Sequence, residues 1–380
     1  MKRHIPYGHQ SIDEEDIEEV INVLRSAWIT QGPKVQEFEE SLADYCGVKY
    51  CVAFSSGTAA LHAAYFAGDI GQGDEIVTSP ITFAATANAA FYLGARPVFV
   101  DIEKDTANLN PDLLEKAITE RTKAIVPVHF AGQPVDLDKI LSIASKKGLI
   151  VIEDACHALG ARYKNKKIGS VSDLTIFSFH PVKTITAGEG GAVLTNREDL
   201  FEKMVMFRNH GATKDRKKMS DYQGDWFYEM HCLGYNYRIT DFQCALGISQ
   251  MKKLDDFVLK RRQIVSEYNR AFASLNTLEP LCEKQNRVPA WHIYVVRLRL
   301  ERLQKSRRDI FDYLRSRGIG VQVHYIPVYW HPYYQDQGYT KGLCPAAEDY
   351  YERAITLPLY PSMENEEIRT VVEEVKRVVG

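Results

Sequence analysis

The chain has 380 residues, enough for two domains around a large buried core. Its 47 basic and 50 acidic residues leave a formal net charge of -3, with neither a basic stripe nor an acidic tail, which argues against steered binding to nucleic acid or to an anionic membrane. Seven scattered cysteines, never spaced as C-x-x-C, argue against a disulfide framework or a metal site and point to a reducing, cytoplasmic setting.

In chain order, "MKRHIPYGHQSIDEED" turns acidic at once and has no apolar leader stretch. No later apolar run reaches the ~20 residues a membrane span needs. Ser11 with Glu14 three residues on predicts a capping box, and "DIEEVINVLRSAW" behind it has helical apolar spacing. "YCVAFSS" then reads as a buried strand running into the alanine-rich helix "GTAALHAAYFAG". The alternation repeats through "DEIVTSP" and "FAATANAAFYLGA", then "RPVFVDI" and a helix opened by Asn110-Pro111. "TKAIVPVHF", "DLDKILSIASKKG" and "LIVIED" continue it, followed by strand candidates "DLTIFSF" and "GAVLTN".

Strands apolar throughout, alternating with amphipathic helices, predict an α/β fold whose largely parallel sheet is covered on both faces. After Arg238 a long helical stretch, broken near Lys253, leads into an α+β segment. Its elements are the strand "WHIYVVRLRL", the helix "SRRDIFDYLRSRG", the strand "IGVQVHYIP", and helices near Ala346 and Glu364. The expected division is 1–250, a large domain with an N-terminal arm, and 251–380, a small C-terminal domain.

Ligands of open α/β sheets sit beyond the carboxyl ends of the strands. Those ends carry Ser55 to Thr58, Thr82 with Phe83, His129, Asp154 with His157, and Ser178 with Lys183. Alone, each has a plain explanation. Lys183 reads as a loop lysine, Asp154 as a cap, Ser56-Gly57-Thr58 as an ordinary helix start, Phe83 as core and His157 as a satisfied buried histidine. Together they match the needs of pyridoxal phosphate (PLP). These are a lysine to capture the aldehyde, a carboxylate for the ring nitrogen, a helix N-terminus for the phosphate and an aromatic ring to stack.

The stretches "SSGTAAL", "TSPITFAATANAA", "EDACHALGARY", "FSFHPVKTITAGEGGAVLTN", "FRNHGA", "LGYNYRITDFQCALG" and "VQVHYIPVY" resemble the DegT/DnrJ/EryC1/StrS family of nucleotide-sugar aminotransferases. The resemblance implies a fold type I PLP-dependent transferase. Lys183 would carry the covalent link and Asp154 would face the pyridine nitrogen. Ser56, Gly57, Thr58 and Ser178 would hold the phosphate, with Phe83 on the ring and His157 near its hydroxyl. Asn236 would serve the neighbouring subunit's phosphate, making a homodimer with shared active sites. Tyr7, Trp28, Thr30, His324 and Tyr325 match positions that contact the sugar nucleotide, joined there by Gly57, Ser178 and Asn236.

Some relatives carry histidine at the lysine position and act as dehydratases; lysine here favours transamination. "TSPITF", "HPVKTITAGEGG" and "VHYIPVY" most resemble the pseudaminic-acid branch. Its members aminate C4 of UDP-2-acetamido-2,6-dideoxy-β-L-arabino-hexos-4-ulose with L-glutamate, releasing 2-oxoglutarate. The rivals are an aminotransferase for another keto sugar (spore-coat, perosamine-type or 3-keto) and an amino-acid aminotransferase using Arg208 or Arg238 as carboxylate clamp. The last is a non-catalytic PLP-fold regulator.

Overall fold

The computed structural model describes residues 4–380. Seven strands build the main sheet: β1 (Tyr50–Phe54), β2 (Glu75–Thr78), β3 (Arg96–Phe99), β4 (Thr122–Val126), β5 (Ile150–Asp154), β6 (Leu174–Ser178) and β7 (Gly191–Thr195). Their order is β1-β7-β6-β5-β4-β2-β3. β6, β5, β4, β2 and β3 pair in parallel, while β7 runs antiparallel to both β1 and β6. The sheet is therefore mixed and largely parallel.

Side chains alternate between faces along a strand. Val52, Phe54, Ile152 and Ile176 accordingly join one apolar core with the helix Gly57–Ala67. Cys51, Ala53, Val151 and Phe177 join another on the opposite face. Each fully buried aliphatic or aromatic side chain contributes about 1.5–3 kcal/mol. Two covered faces explain why these strands read as apolar throughout.

The same parity places the polar strand ends. Asp154 and Ser178 share the face of Ile152 and Ile176, toward the helix Gly57–Ala67. Glu153 points to the other face, and His129 goes with it. Its Nε2 lies 2.5 Å from Glu153 Oε2, and its Nδ1 accepts the Val135 N–H at 3.1 Å. His129 therefore does not join the other strand-end groups; a buried carboxylate on the far face captures it.

Beyond the sheet, the chain forms helices Asp241–Lys252 and Leu254–Phe272, broken at Lys253 as expected. A second, antiparallel sheet follows: β8 (Leu278–Pro280), β9 (Tyr294–Leu298) and β10 (Ala354–Leu357). It has its own apolar core with helices Arg307–Ser316 and Asn365–Val379.

Two local expectations need correction. The first helix, Glu14–Leu24, is capped by Asp13 with Asp16, not by Ser11 with Glu14. The strand expected over "IGVQVHYIP" is absent, because its backbone is shared between two partners. Ile319 bridges Ile5 of the N-terminal arm, and Gln322 bridges Thr356 of β10.

Candidate active site

A cavity of about 540 Å³ lies at the carboxyl ends of the strands. It gathers Tyr7, Ser56, Gly57, Thr58, Phe83, Asp154, His157, Ser178, Lys183, His324 and Tyr325, eleven of the expected residues. Trp28, Thr30 and Asn236 are not among its lining. Trp28 is 58% exposed, and Thr30 and Asn236 are exposed on the chain's own surface. They lie along one strip: Thr30 bridges Thr240, and Asn236 bridges Asn209.

β1 delivers the chain to Ser56, whose hydroxyl caps the helix Gly57–Ala67 by accepting the Ala59 N–H at 3.1 Å. That leaves the N–H groups of Gly57 and Thr58, the first two of the helix and both cavity-lining residues, with no helical partner. Backbone donors at a helix start are an anion site. Gly57 also permits close approach: a Cβ there would lie 3.2 Å from Ser178 Oγ.

Lys183 sits in the connection between β6 and β7, with its N–H donating to His180 O at 2.9 Å. Burial pushes its amine pKa down, against an upward pull from Cys156 and Asp154. A lowered amine pKa raises the neutral, nucleophilic fraction. Across the cavity, Asp154 is buried; its Oδ1 accepts the Cys156 N–H at 3.1 Å and its Oδ2 the Thr86 hydroxyl at 2.5 Å. Phe83 is 64% exposed although it borders the cavity, so its ring face is free to stack.

Four imidazoles line the cavity, those of His157, His180, His292 and His324. His157 Nε2 is 3.3 Å from the Tyr325 hydroxyl, while its buried Nδ1 has no partner among the described residues. His324 is oriented by Thr356 Oγ1, 2.8 Å from its Nδ1, and burial with nearby Lys183 lowers its pKa to about 4. His292 packs its ring 4.3 Å from that of His157. Burial first, then His157, Lys183, Arg261 and His324, hold its pKa well below the usual histidine range.

Sequence reasoning missed His292, Thr86 and Cys156. The available signal was weak: a histidine opening "HIYVVRL", and a threonine one turn after Thr82. Arg208 and Arg238 stay outside the cavity lining. Arg208 pairs with Glu39 at 2.5 Å and donates to Ala53 O, and Arg238 donates to Asn209 Oδ1 at 2.6 Å. Arg208 is thus engaged, whereas Arg238 has one N–H taken, and both line a separate cavity of about 700 Å³. Among the described residues no cluster could hold a metal ion, and no helix is long and apolar enough to cross a membrane.

The groups present fit PLP. The Gly57 and Thr58 N–H groups are open donors that could take a phosphate, Asp154 offers a carboxylate to a ring nitrogen, Phe83 offers a ring face, and the unpartnered Nδ1 of His157 can meet a polar group. Fold and site together define a PLP-dependent transferase of fold type I. The chain belongs to the DegT/DnrJ/EryC1/StrS aminotransferase family, whose pattern it matches over residues 10–376. It is 43% identical to the spore coat polysaccharide biosynthesis protein SpsC of Bacillus subtilis, over 99% of this chain and 97% of the other. Among solved structures it resembles Helicobacter pylori PseC, an aminotransferase of pseudaminic acid biosynthesis. That match has 35% identity and a TM-score of 0.93, and covers 99% of both chains. The PLP form of the putative sugar aminotransferase Spr1654 of Streptococcus pneumoniae is 32% identical with a TM-score of 0.92, covering 99% of this chain and 98% of that one.

Bound PLP supplies an aldehyde for amine capture and a ring that accepts an electron pair from the substrate carbon. This chain's residues do the rest. Lys183 Nζ would be the amine that holds the cofactor and moves a proton at the reacting carbon. Asp154 would hold the proton on the ring nitrogen, and the Gly57–Thr58 amides with Ser178 would hold the phosphate.

Proposed function

We propose that this aminotransferase moves the amino group of L-glutamate onto C4 of a UDP-linked 4-keto-6-deoxy sugar. The substrate proposed is UDP-2-acetamido-2,6-dideoxy-β-L-arabino-hexos-4-ulose, on the route to pseudaminic acid. The observation that carries the reading is the full-length likeness to PseC. It is joined by Tyr7, His324 and Tyr325, which line the same cavity as Lys183 and Asp154. Lys183, Asp154, Ser56, Gly57, Thr58, Phe83, His157 and Ser178 keep the cofactor roles that the family resemblance implies.

Trp28, Thr30 and Asn236 act, in this proposal, on the neighbouring subunit of a homodimer. Their exposure outside their own chain's cavity supports that reading, as do the exposed Trp226 and Leu233 nearby in sequence. The proposed division into 1–250 and 251–380 is supported by the core under the second sheet, which Ile5 of the N-terminal arm reaches; Leu254, Phe257 and Val258 nonetheless pack into the large domain's core, and Ile293, Val295 and Val328 share a core with Ile81, Ile102 and Phe130. Seven free cysteines fit a cytoplasmic enzyme.

A second reading, a spore-coat sugar as acceptor, rests on the 43% identity to SpsC. The deciding experiment offers purified 4-keto and 3-keto nucleotide sugars with glutamate, and the aminated carbon is assigned by NMR. The UDP-linked L-arabino 4-keto sugar should outperform its D-xylo epimer; the reverse preference would refute the narrower assignment while leaving the transaminase intact.

A further inference from the structure

Asp154 is held by a chain of hydroxyls that the reaction as described does not use. Thr86 Oγ1 lies 2.5 Å from Asp154 Oδ2, and Thr82 Oγ1 lies 2.7 Å from Thr86 Oγ1. All three residues are buried: Asp154 is 5% exposed, Thr86 1% and Thr82 3%. The Thr86 carbonyl is itself fixed, accepting the Tyr65 hydroxyl at 2.8 Å.

A threonine hydroxyl has a single proton, and an ionised carboxylate has none. With Asp154 ionised, as an ion pair with a protonated ring nitrogen requires, the order is forced. Thr86 donates to Asp154, and Thr82 donates to Thr86. Two O–H dipoles then point in series at Oδ2, while the Cys156 N–H occupies Oδ1 from another direction. Hydrogen bonds to an ionised acceptor are roughly twice as strong as neutral ones. In this dry setting the serial arrangement also polarises each bond further.

We propose that Thr86, backed by Thr82, is a positioning residue for transamination: it locks the rotation of the Asp154 carboxylate and stabilises its negative charge, leaving the remaining lone pairs for the ring nitrogen of PLP. The inference rests on the PLP-dependent activity of the family and holds for any sugar acceptor.

Thr86→Val keeps the shape and removes the donor; Thr86→Ser keeps the donor. Each is made in the natural protein and in an Asp154→Asn background. The readouts are kcat, KM for glutamate, apo-protein Tm, and the pH at which the isotope-labelled ring nitrogen of bound PLP loses its proton. Thr86→Val should lower kcat about 10- to 100-fold, the worth of a hydrogen bond to a charged group. It should also move the ring-nitrogen deprotonation to lower pH, and Thr86→Ser should restore both. In the Asp154→Asn background Thr86→Val should add little, because the charge it serves is gone. Equal losses in both backgrounds, or an unmoved ring-nitrogen titration, would overturn the proposal and leave Thr86 as packing. Thr82→Val, one bond further away, should shift the titration in the same direction by less; an opposite shift also overturns it. A natural protein that binds no PLP would instead refute the cofactor assignment, which the labelled-ring signal reports separately.

Discussion

Replacing Gly57 with alanine separates the phosphate cradle from the fold. A Cβ at Gly57 would lie 3.1 Å from Ser178 Cβ and 3.2 Å from Ser178 Oγ, with Cys156 Sγ at 3.7 Å. Relaxed carbon contacts are about 3.5–4.0 Å, so the Ser178 side chain must retreat by roughly half an ångström. The helix itself does not object, since alanine is favoured over glycine in helices by up to about 1 kcal/mol. The damage should therefore fall on phosphate binding. Losing one hydrogen bond to a charged group costs about 1.5–3 kcal/mol, which is about a 10- to 100-fold weaker Kd. Apo-protein titrated with PLP, followed by absorbance, measures that Kd, and thermal melts without cofactor measure the fold. Unchanged PLP affinity would refute the cradle; a fall of several degrees in apo Tm alongside weaker binding would show that Gly57 serves packing instead.

Asp154→Asn keeps the shape and removes the charge, so kcat should fall by orders of magnitude while PLP still binds; near-normal kcat would assign the ring nitrogen to another group. Mixing inactive Lys183→Ala subunits with inactive Asn236→Ala subunits should restore activity, because one of the two heterodimer sites then holds both intact residues. No recovery after proven subunit exchange would confine Asn236 to its own chain. In acid, burial holds His62 and His324 at about 4 against 6.5 when unfolded. Below pH 6.5 the unfolded chain binds the extra protons, so stability falls as pH drops from about 6.5 to about 4. The loss is up to about 1.4 kcal/mol per pH unit per histidine. Urea midpoints of the apo-protein across that window test this, and a flat profile would contradict it.

The sheet was legible because both its faces are buried, which writes long apolar runs into β1, β4, β5 and β6. The strand ends were legible for the same reason: the polar residue that ends such a run sits at the sheet's edge. That rule failed for His129, since adjacent positions on a strand face opposite ways and Glu153 on the far side claimed its ring. It failed again at Gln322, where one segment serves two partners for a residue each and no run develops. Thr86 and His292 carried only a weak signal. Their roles depend on neighbours brought together from β5 and from the turn before β9, and a threonine in an alanine-rich helix is compositionally ordinary. Trp28, Thr30 and Asn236 were singled out only by family resemblance, because exposed residues outside the cavity carry no local mark of a role.

The reversed direction of β7 has a kinetic consequence. Because β6 and β7 are antiparallel neighbours, the segment bearing Lys183 leaves and re-enters the sheet at the same edge, without a crossover helix. It is stitched at its base by Phe179 N–H to Gly190 O at 2.9 Å, and again by Ala187 N–H to Phe179 O at 3.0 Å. The backbone beneath the lysine is thus tethered at both ends, and the search for a reacting carbon is left to the rotors of one side chain. Side-chain rotations are in general faster than loop and lid motions, which take up to microseconds or longer. On the proposal that Lys183 delivers the proton, that step would draw on side-chain motion over a tethered backbone, separate from any opening and closing that admits the sugar.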